Sequence, residues 1–215
     1  KSKNFKKLNK LPLIEWTIEF ALKNPYIDRC IVSTDSQEIS EVASRAGAEI
    51  PYLRSAALST DTAKTSDVLL DVFQRCALNS DDIIVLLEPT SPYRTSEDFN
   101  SILALLNNRY SRKAVSVSIA KSEAYSFQLI RSSSQDGALS QISDLAMPND
   151  LRRQDVKPTC YLDGTFYLSY VQDFIAQPGF LDSTTGSIVS NALSRFEIDD
   201  PTDLVLYDLI LKFFN

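Results

Sequence analysis

Two stretches of this 215-residue chain carry polar groups at spacings that chemistry can use. The first, LLEPTSPYRT at 86–95, follows an apolar run from Ile83 to Leu87. Its two prolines, with hydroxyls between them, hold a non-helical turn whose groups can meet a base or a sugar. The same residues equally suit an ordinary strand-to-helix connection capped by Ser96, with Glu97 and Asp98 favourable in the first helical turn. The second stretch is FEIDD at 196–200, just before Pro201. Alternate residues of an extended chain share a face, so Glu197 and Asp199 would project two carboxylates into one cleft. Paired oxygens of that kind suit Mg2+, which keeps several waters and bridges phosphates. Helix capping by Asp200, with Asp203 in the first turn, explains Asp200 but leaves Glu197 without a structural reason. A weaker signal is Lys3-Asn4 ahead of a helix, where a lysine and a helix N-terminus together favour phosphate.

Other chemistry is excluded by what the chain lacks. It has no histidine, which removes imidazole acid–base chemistry, histidine triads and histidine metal cages. Catalysis would have to run on carboxylates, lysines, backbone dipoles or a metal. The net charge of -6 argues against nucleic acid as a partner, because phosphate backbones require a clustered positive surface. The local exception is Lys1, Lys3, Lys6, Lys7 and Lys10, which is equally well a solvated terminus. Cys30, Cys76 and Cys160 are widely spaced and odd in number, favouring core thiols in a reducing cytoplasm. No apolar run approaches the roughly 20 residues of a membrane span.

The elements that must position these groups follow from periodicity. PLIEWTIEFALKN reads as an amphipathic helix with Pro12 at its first position and Ile14, Ile18, Ala21 and Leu22 on one face. DRCIVSTD, then QEISEVASRAGAEI with Gly47 closing it, reads as a strand–helix–strand unit. TSDVLLDVFQRCAL predicts a helix, DDIIVLLEP a buried strand, SEDFNSILALLNN a helix and KAVSVSIAK a strand. This alternation predicts one α/β domain over 1–215 with a doubly wound, mainly parallel sheet, whose ligands gather at the carboxyl ends of the strands. The alternation stops between about Tyr125 and Thr159, as an insertion would make it. It resumes with the strand YLDGTFYLSY, a loop containing QPGF and STTGS, and a closing helix from Pro201.

Read in order, VSTDSQEISEVASRAGAEIPYLR, ALSTDTAKTSDVLLDV and LLEPTSPYRTSEDF resemble the acylneuraminate (CMP-sialic acid) cytidylyltransferase family, with YLDGTFYL and EIDDPTDL in matching places. The resemblance implies a Rossmann-like nucleotidyltransferase fold. It also implies an activity, attack of the anomeric hydroxyl of a nonulosonic acid on the α-phosphate of CTP with Mg2+ assistance and release of pyrophosphate. Positioning and charge stabilisation suffice for such a step. By the same resemblance, Lys3 would contact phosphate and share catalysis with Asp199. Asn4, Arg54, Thr65, Glu88, Pro89, Thr90 and Ser91 would hold the nucleotide. Arg94, Gln128, Arg153, Tyr161, Asp163 and Phe166 would face the sugar, and Glu197 with Asp199 would hold the metal. The insertion at 125–160 would exchange with a second subunit in a homodimer and bring Arg153 across the interface.

Four positions depart from the family pattern: Glu88 for a usual glutamine, Asp163 for an asparagine, Tyr161 for an arginine and Glu197 for an aspartate. Glutamine to glutamate removes two amide donors and adds a charge, which points to a different nonulosonate, such as a legionaminate-like or pseudaminate-like sugar, or to weakened catalysis. Family members also begin with an apolar strand and a glycine-containing phosphate loop. Their absence before Lys1 leads to the expectation that the sequence is a fragment. The remaining alternatives are a nucleotidyltransferase using another sugar acid or nucleotide, as ketodeoxyoctonate cytidylyltransferases do, and a non-catalytic nucleotide-binding relative.

Overall fold

The apolar runs meet in a four-stranded sheet. The structure, a computed structural model, describes residues 6–106, 111–120, 129–131, 139–141, 159–194 and 196–214. The sheet is built from β3 (Ile83–Leu86), β4 (Lys113–Ala120), β7 (Thr159–Tyr170) and β8 (Gly186–Val189) in the order β3-β7-β4-β8. β7 runs antiparallel to both neighbours, whereas β8 is parallel to β4. Three of the four strands therefore point one way and the long β7 runs against them. This is an α/β fold with a mixed sheet, and the reversed β7 qualifies the mainly parallel expectation.

Among the described residues six α-helices accompany the strands: α1 (Leu13–Lys23), α2 (Gln37–Arg45), α3 (Thr65–Arg75), α4 (Ser96–Leu106), α5 (Val171–Ala176) and α6 (Pro201–Phe214). They cover both faces of the sheet. On one, Phe99, Ile102 and Leu106 of α4, with Phe20 of α1, pack on Ala114, Phe166 and Leu168. The rings of Phe20, Phe99 and Phe166 stand 5.6–6.0 Å apart in tilted and edge-on pairs, a geometry that adds attraction beyond area burial. On the other face Val72 and Phe73 of α3 meet Val171 and Phe174, with Ile84 beneath them.

Local chemistry accounts for the boundaries. A hairpin of β1 (Lys7–Leu8) and β2 (Leu11–Pro12) turns through Asn9 and Lys10 at φ 47 and 72, the backbone sign required by a tight two-residue hairpin. α1 starts one residue after Pro12, and Ile14, Ile18 and Ala21 are buried as expected, while Leu22 is exposed. Ser36 caps α2 by accepting from the Ile39 amide, and Gly47, at φ 98, ends it. The cap of α4 is Thr95, whose hydroxyl accepts from Asp98 N at 3.0 Å, in place of Ser96. Asp200 caps α6, accepting from the amides of Thr202 and Asp203, and Asp203 reciprocates by accepting from Asp200 N.

Some expectations need correction. The two strands flanking α2 reduce to one parallel bridge, Ile31 with Glu49. α5 and β8 arise where a loop was expected. Cys160 is exposed and so is no core thiol, whereas Cys76 is buried. Within 125–160 the description covers two short antiparallel strands, β5 (Leu129–Arg131) and β6 (Leu139–Gln141), and the start of β7. Among the described residues, no helix is long and apolar enough to cross a membrane.

Candidate active site

β3 ends at Leu86 and the chain turns sharply. Ser91 N donates to Glu88 O at 3.1 Å, closing a four-residue turn with Pro89 in its second position. Three further bonds anchor this turn. Ser91 Oγ donates to Asp163 O at 3.1 Å, Ile198 N donates to Thr90 O at 2.8 Å and Arg94 donates to Glu88 O at 2.7 Å. The first two bring the turn, β7 and the acidic segment before α6 to one place. Ile198 is fully buried, so Glu197 and Asp199 flank it on the opposite side of the chain, as the alternation predicts. The segment makes no ladder with the sheet. It is held by the Ile198–Thr90 bond, by Thr90 Oγ1 donating to Glu197 Oε1 at 3.3 Å, and by Asp199 N donating to Asp203 at 2.9 Å.

The floor of the site is a bulge in β7. Val115 pairs with Tyr167 and Val117 with Leu162, so residues 163–166 of β7 stand opposite Ser116 alone. Gly164 lies in this bulge at φ 70, a backbone conformation that L side chains rarely adopt. It is also bare for want of space. A Cβ there would lie 2.5 Å from Ser91 Oγ, 3.1 Å from Glu88 Oε2 and 3.2 Å from Glu197 Oε1. Two carboxylates and a hydroxyl thus converge on one glycine.

Charge is concentrated here. Burial pushes the Glu88 carboxyl upward, the nearby Glu197 and Asp199 add to that, and Arg94 offsets part of it. The Tyr167 hydroxyl is pushed up to about 12 by burial and by Glu88 and Glu197. Burial pulls the Arg94 guanidinium down to about 9, which leaves it charged at neutral pH. Among the described residues no three His, Cys, Asp or Glu side chains stand at metal-ligand spacing. Glu197 and Asp199 flank Ile198 in the chain and both act on the Glu88 carboxyl, and neighbouring carboxylates are donors of the kind a Mg2+ ion completes with waters and substrate phosphates.

Several predicted sugar contacts are turned inward. Phe166 is 0% exposed in the aromatic core and offers no surface to a sugar. Arg94 is engaged within the fold, donating to Thr165 O at 3.0 Å, Thr17 Oγ1 at 3.1 Å and Glu88 O. Asp163 is 2% exposed, and its carboxylate accepts from Ser116, Ser118, Ser190 and Thr165 N. Ser91 is buried as well, its hydroxyl committed to Asp163. Tyr161 is half-buried on β7 opposite Ser118.

The nucleotide candidates divide. Glu88, Pro89 and Thr90 are half-buried at the convergence. Thr65 is exposed at the first position of α3, and Arg54 is bonded to Thr34 O and Ser59 and paired with Asp35 at 3.7 Å. Lys3, Asn4, Gln128 and Arg153 lie outside the described residues. Sequence reasoning missed Gly164 and the serines around Asp163. A glycine inside a strand pattern is the signal that would have announced the bulge.

The fold is that of the nucleotidyltransferases. The chain aligns over 99% of its length, and 92% of the other chain, with a CMP:2-keto-3-deoxy-manno-octonic acid synthetase structure complexed with CTP, at a TM-score of 0.69 and 14% identity. A 4-diphosphocytidyl-2C-methyl-D-erythritol synthase aligns over 97% and 94% at a TM-score of 0.63 and 12% identity. A sequence profile described as cytidylyltransferase matches residues 1–213, and the chain belongs to that family. It is 30% identical to the CMP-N,N'-diacetyllegionaminic acid synthase of Legionella pneumophila, across 98% of this chain and 89% of that protein. It is also 28% identical to an Escherichia coli N-acylneuraminate cytidylyltransferase, across 96% of this chain and 47% of that protein.

Proposed function

We propose that this cytidylyltransferase transfers CMP from CTP to the anomeric hydroxyl of a nonulosonic acid, with release of pyrophosphate. A bond forms between the anomeric oxygen and the α-phosphorus, the bond from that phosphorus to the β-phosphate bridging oxygen breaks, and the hydroxyl proton is lost to the aqueous phase. The observation that carries this reading is the convergence of the turn at 88–91 and the carboxylate of Glu197 on Gly164. It brings the turn and the acidic segment together at the end of a sheet strand, where α/β folds hold ligands, which supports reading the turn as facing the nucleotide and the acids as facing a metal.

In this reading Glu197 and Asp199 hold Mg2+, which, when bound, neutralises charge on the triphosphate. Glu88, Pro89 and Thr90 present their turn to cytidine, where the Glu88 carboxylate also lies near an acidic sugar or the triphosphate. Arg54 and Thr65 complete the nucleotide side, joined by Lys3 and Asn4, with Lys3 on phosphate. Gln128, Arg153 and Tyr161 belong to the sugar side, and two copies associate through the segment at 125–160. A nonulosonate of the diacetyllegionaminate or N-acylneuraminate type is the substrate class favoured by the similarity to enzymes bearing those names.

The test is pyrophosphate release from CTP with a panel of nonulosonic acids, with Mg2+ present or withheld. Release with at least one sugar, abolished by withholding the metal, is the expected result. No release with any sugar overturns the reading. Sedimentation at several protein concentrations tests the dimer.

A further inference from the structure

Asp163 lies beneath the site and, with its carboxylate closed off from solvent, has no access to substrate. Its Oδ1 accepts from Ser116 Oγ and from Thr165 N at 3.1 Å, and its Oδ2 accepts from Ser118 Oγ at 3.1 Å and from Ser190 Oγ. These donors come from three places in the sheet: Ser116 and Ser118 from β4, Ser190 from just beyond β8, and Thr165 from β7 itself. Four hydrogen bonds satisfy both oxygens of a buried carboxylate. An asparagine in the same place could accept at only one of its two side-chain heavy atoms.

The bonds act where the β-ladder fails. Residues 163–166 have no regular partners on β4, and their backbone is held by side chains. Ser116 Oγ accepts from Phe166 N at 2.9 Å, and Arg94 donates to Thr165 O at 3.0 Å. The Asp163 carbonyl, on the same residue, receives the Ser91 hydroxyl. Whatever fixes Asp163 thus fixes both the bare Gly164 and the turn above it.

We propose that Asp163 is a positioning residue, whose buried carboxylate pins the β7 bulge to β4 and β8 so that Ser91, Glu88 and Glu197 close on Gly164 at one set spacing. It acts through Gly164 and Ser91 and touches no substrate. The kinetic side of this proposal rests on the cytidylyl-transfer reading, and the structural side does not.

The experiment compares Asp163→Ala, Asp163→Asn and Ser190→Ala in the whole protein. Hydrogen exchange is followed in peptides covering 88–94 and 196–199, alongside kcat, KM for CTP and the Mg2+ half-saturation. In Asp163→Ala, exchange at both peptides should rise, and kcat should fall about a hundredfold with little change in KM for CTP, the signature of misplaced rather than missing groups. Asp163→Asn should recover most of both, because the serine hydroxyls can rotate to accept from its amide. If Asp163→Ala does not fold, Ser190→Ala should show the same two changes at smaller size. Wild-type exchange and kcat in a folded Asp163→Ala or Ser190→Ala would overturn the proposal. So would an Asp163→Asn as inactive as Asp163→Ala with wild-type exchange, since the carboxylate would then act directly. A wild-type protein that releases no pyrophosphate would sink the activity reading, and the exchange data would still decide the positioning role.

Discussion

The Ile198 amide donates to the Thr90 carbonyl at 2.8 Å, and that bond ties the acidic segment before α6 to the turn after β3 across more than a hundred residues of sequence. Because Ile198 is wholly buried, the segment cannot rotate to hide its acids. The side chains on either side of it, Glu197 and Asp199, are held at the protein surface beside the turn.

Asp199 therefore offers the cleanest test of the metal assignment. Its backbone amide contributes to the α6 cap through Asp203, which an alanine substitution preserves. Asp199→Ala should fold with an unchanged melting temperature, lose about a hundredfold or more in Mg2+-dependent turnover, and require more Mg2+ for half-saturation. Turnover with the wild-type metal requirement would remove Asp199 from the metal site.

Gly164 should tolerate no side chain. Gly164→Ala combines a left-handed backbone with a Cβ 2.5 Å from Ser91 Oγ, so either the bulge or the turn must move. A loss of about 2 kcal/mol or more is expected from backbone strain alone. Turnover should fall with it, because the added Cβ would also crowd Glu88 Oε2 at 3.1 Å and Glu197 Oε1 at 3.2 Å. Thermal unfolding and pyrophosphate release, measured on one preparation, check both.

Phe166 separates what the sequence reveals from what only the fold shows. YLDGTFYLSY is legible as a strand, and DDIIVLLEP, SEDFNSILALLNN and KAVSVSIAK are each recovered as the predicted element type. Direction is another matter. A strand buried on both faces carries the same apolar run whether it lies parallel or antiparallel, so the reversal of β7 is invisible in its residues. The bulge at 163–166 then shifts which β7 side chains face the core, and it sends Phe166 among Phe20 and Phe99. The convergence of Glu88 and Glu197 was foreseeable from strand-end logic. The inward engagement of Arg94 and Asp163 was not, because their partners Thr165, Ser116 and Ser190 are unremarkable hydroxyl residues far away in sequence. Phe166→Leu should accordingly cost about 1 kcal/mol by leaving a smaller side chain in a packed core. It should leave KM for the sugar acid unchanged, and a KM rise without loss of stability would return Phe166 to the substrate.

Away from the site, Asp182 provides a pH test of the fold. The Thr184 hydroxyl and amide hold its carboxyl down to about 2, with the buried Lys113 adding to the effect. An unfolded aspartate titrates near an ordinary value of about 3.9. Between those values the unfolded chain binds the proton and the folded one does not. The stabilisation is therefore complete above about pH 4 and is lost as pH falls toward 2. Asp182→Asn should lower stability by about 1–2 kcal/mol at neutral pH, allowing for solvent screening, with the gap closing below about pH 3. A gap that stays constant with pH would mean that the charge contributes nothing.

Glu88 bears on substrate choice. It is half-buried beside Glu197 and Asp199, and burial together with those two charges raises its carboxyl above the ordinary range. When ionised, Glu88 repels the carboxylate of a sugar acid, and at an effective dielectric of about 20 one such charge several ångströms away is worth on the order of 2 kcal/mol before screening. Glu88→Gln removes the charge, keeps the size and adds amide donors. If Glu88 stays in the cytidine-facing turn and clear of the metal, the variant should bind an N-acylneuraminate about three- to tenfold more tightly, judged by KM, with the Mg2+ requirement unaltered. If the Glu88 carboxylate instead joins Glu197 and Asp199 around the metal, the same variant should need more Mg2+ and lose kcat with no gain in sugar affinity. The two outcomes move different parameters, so one substitution measured against both sugar and metal decides between them.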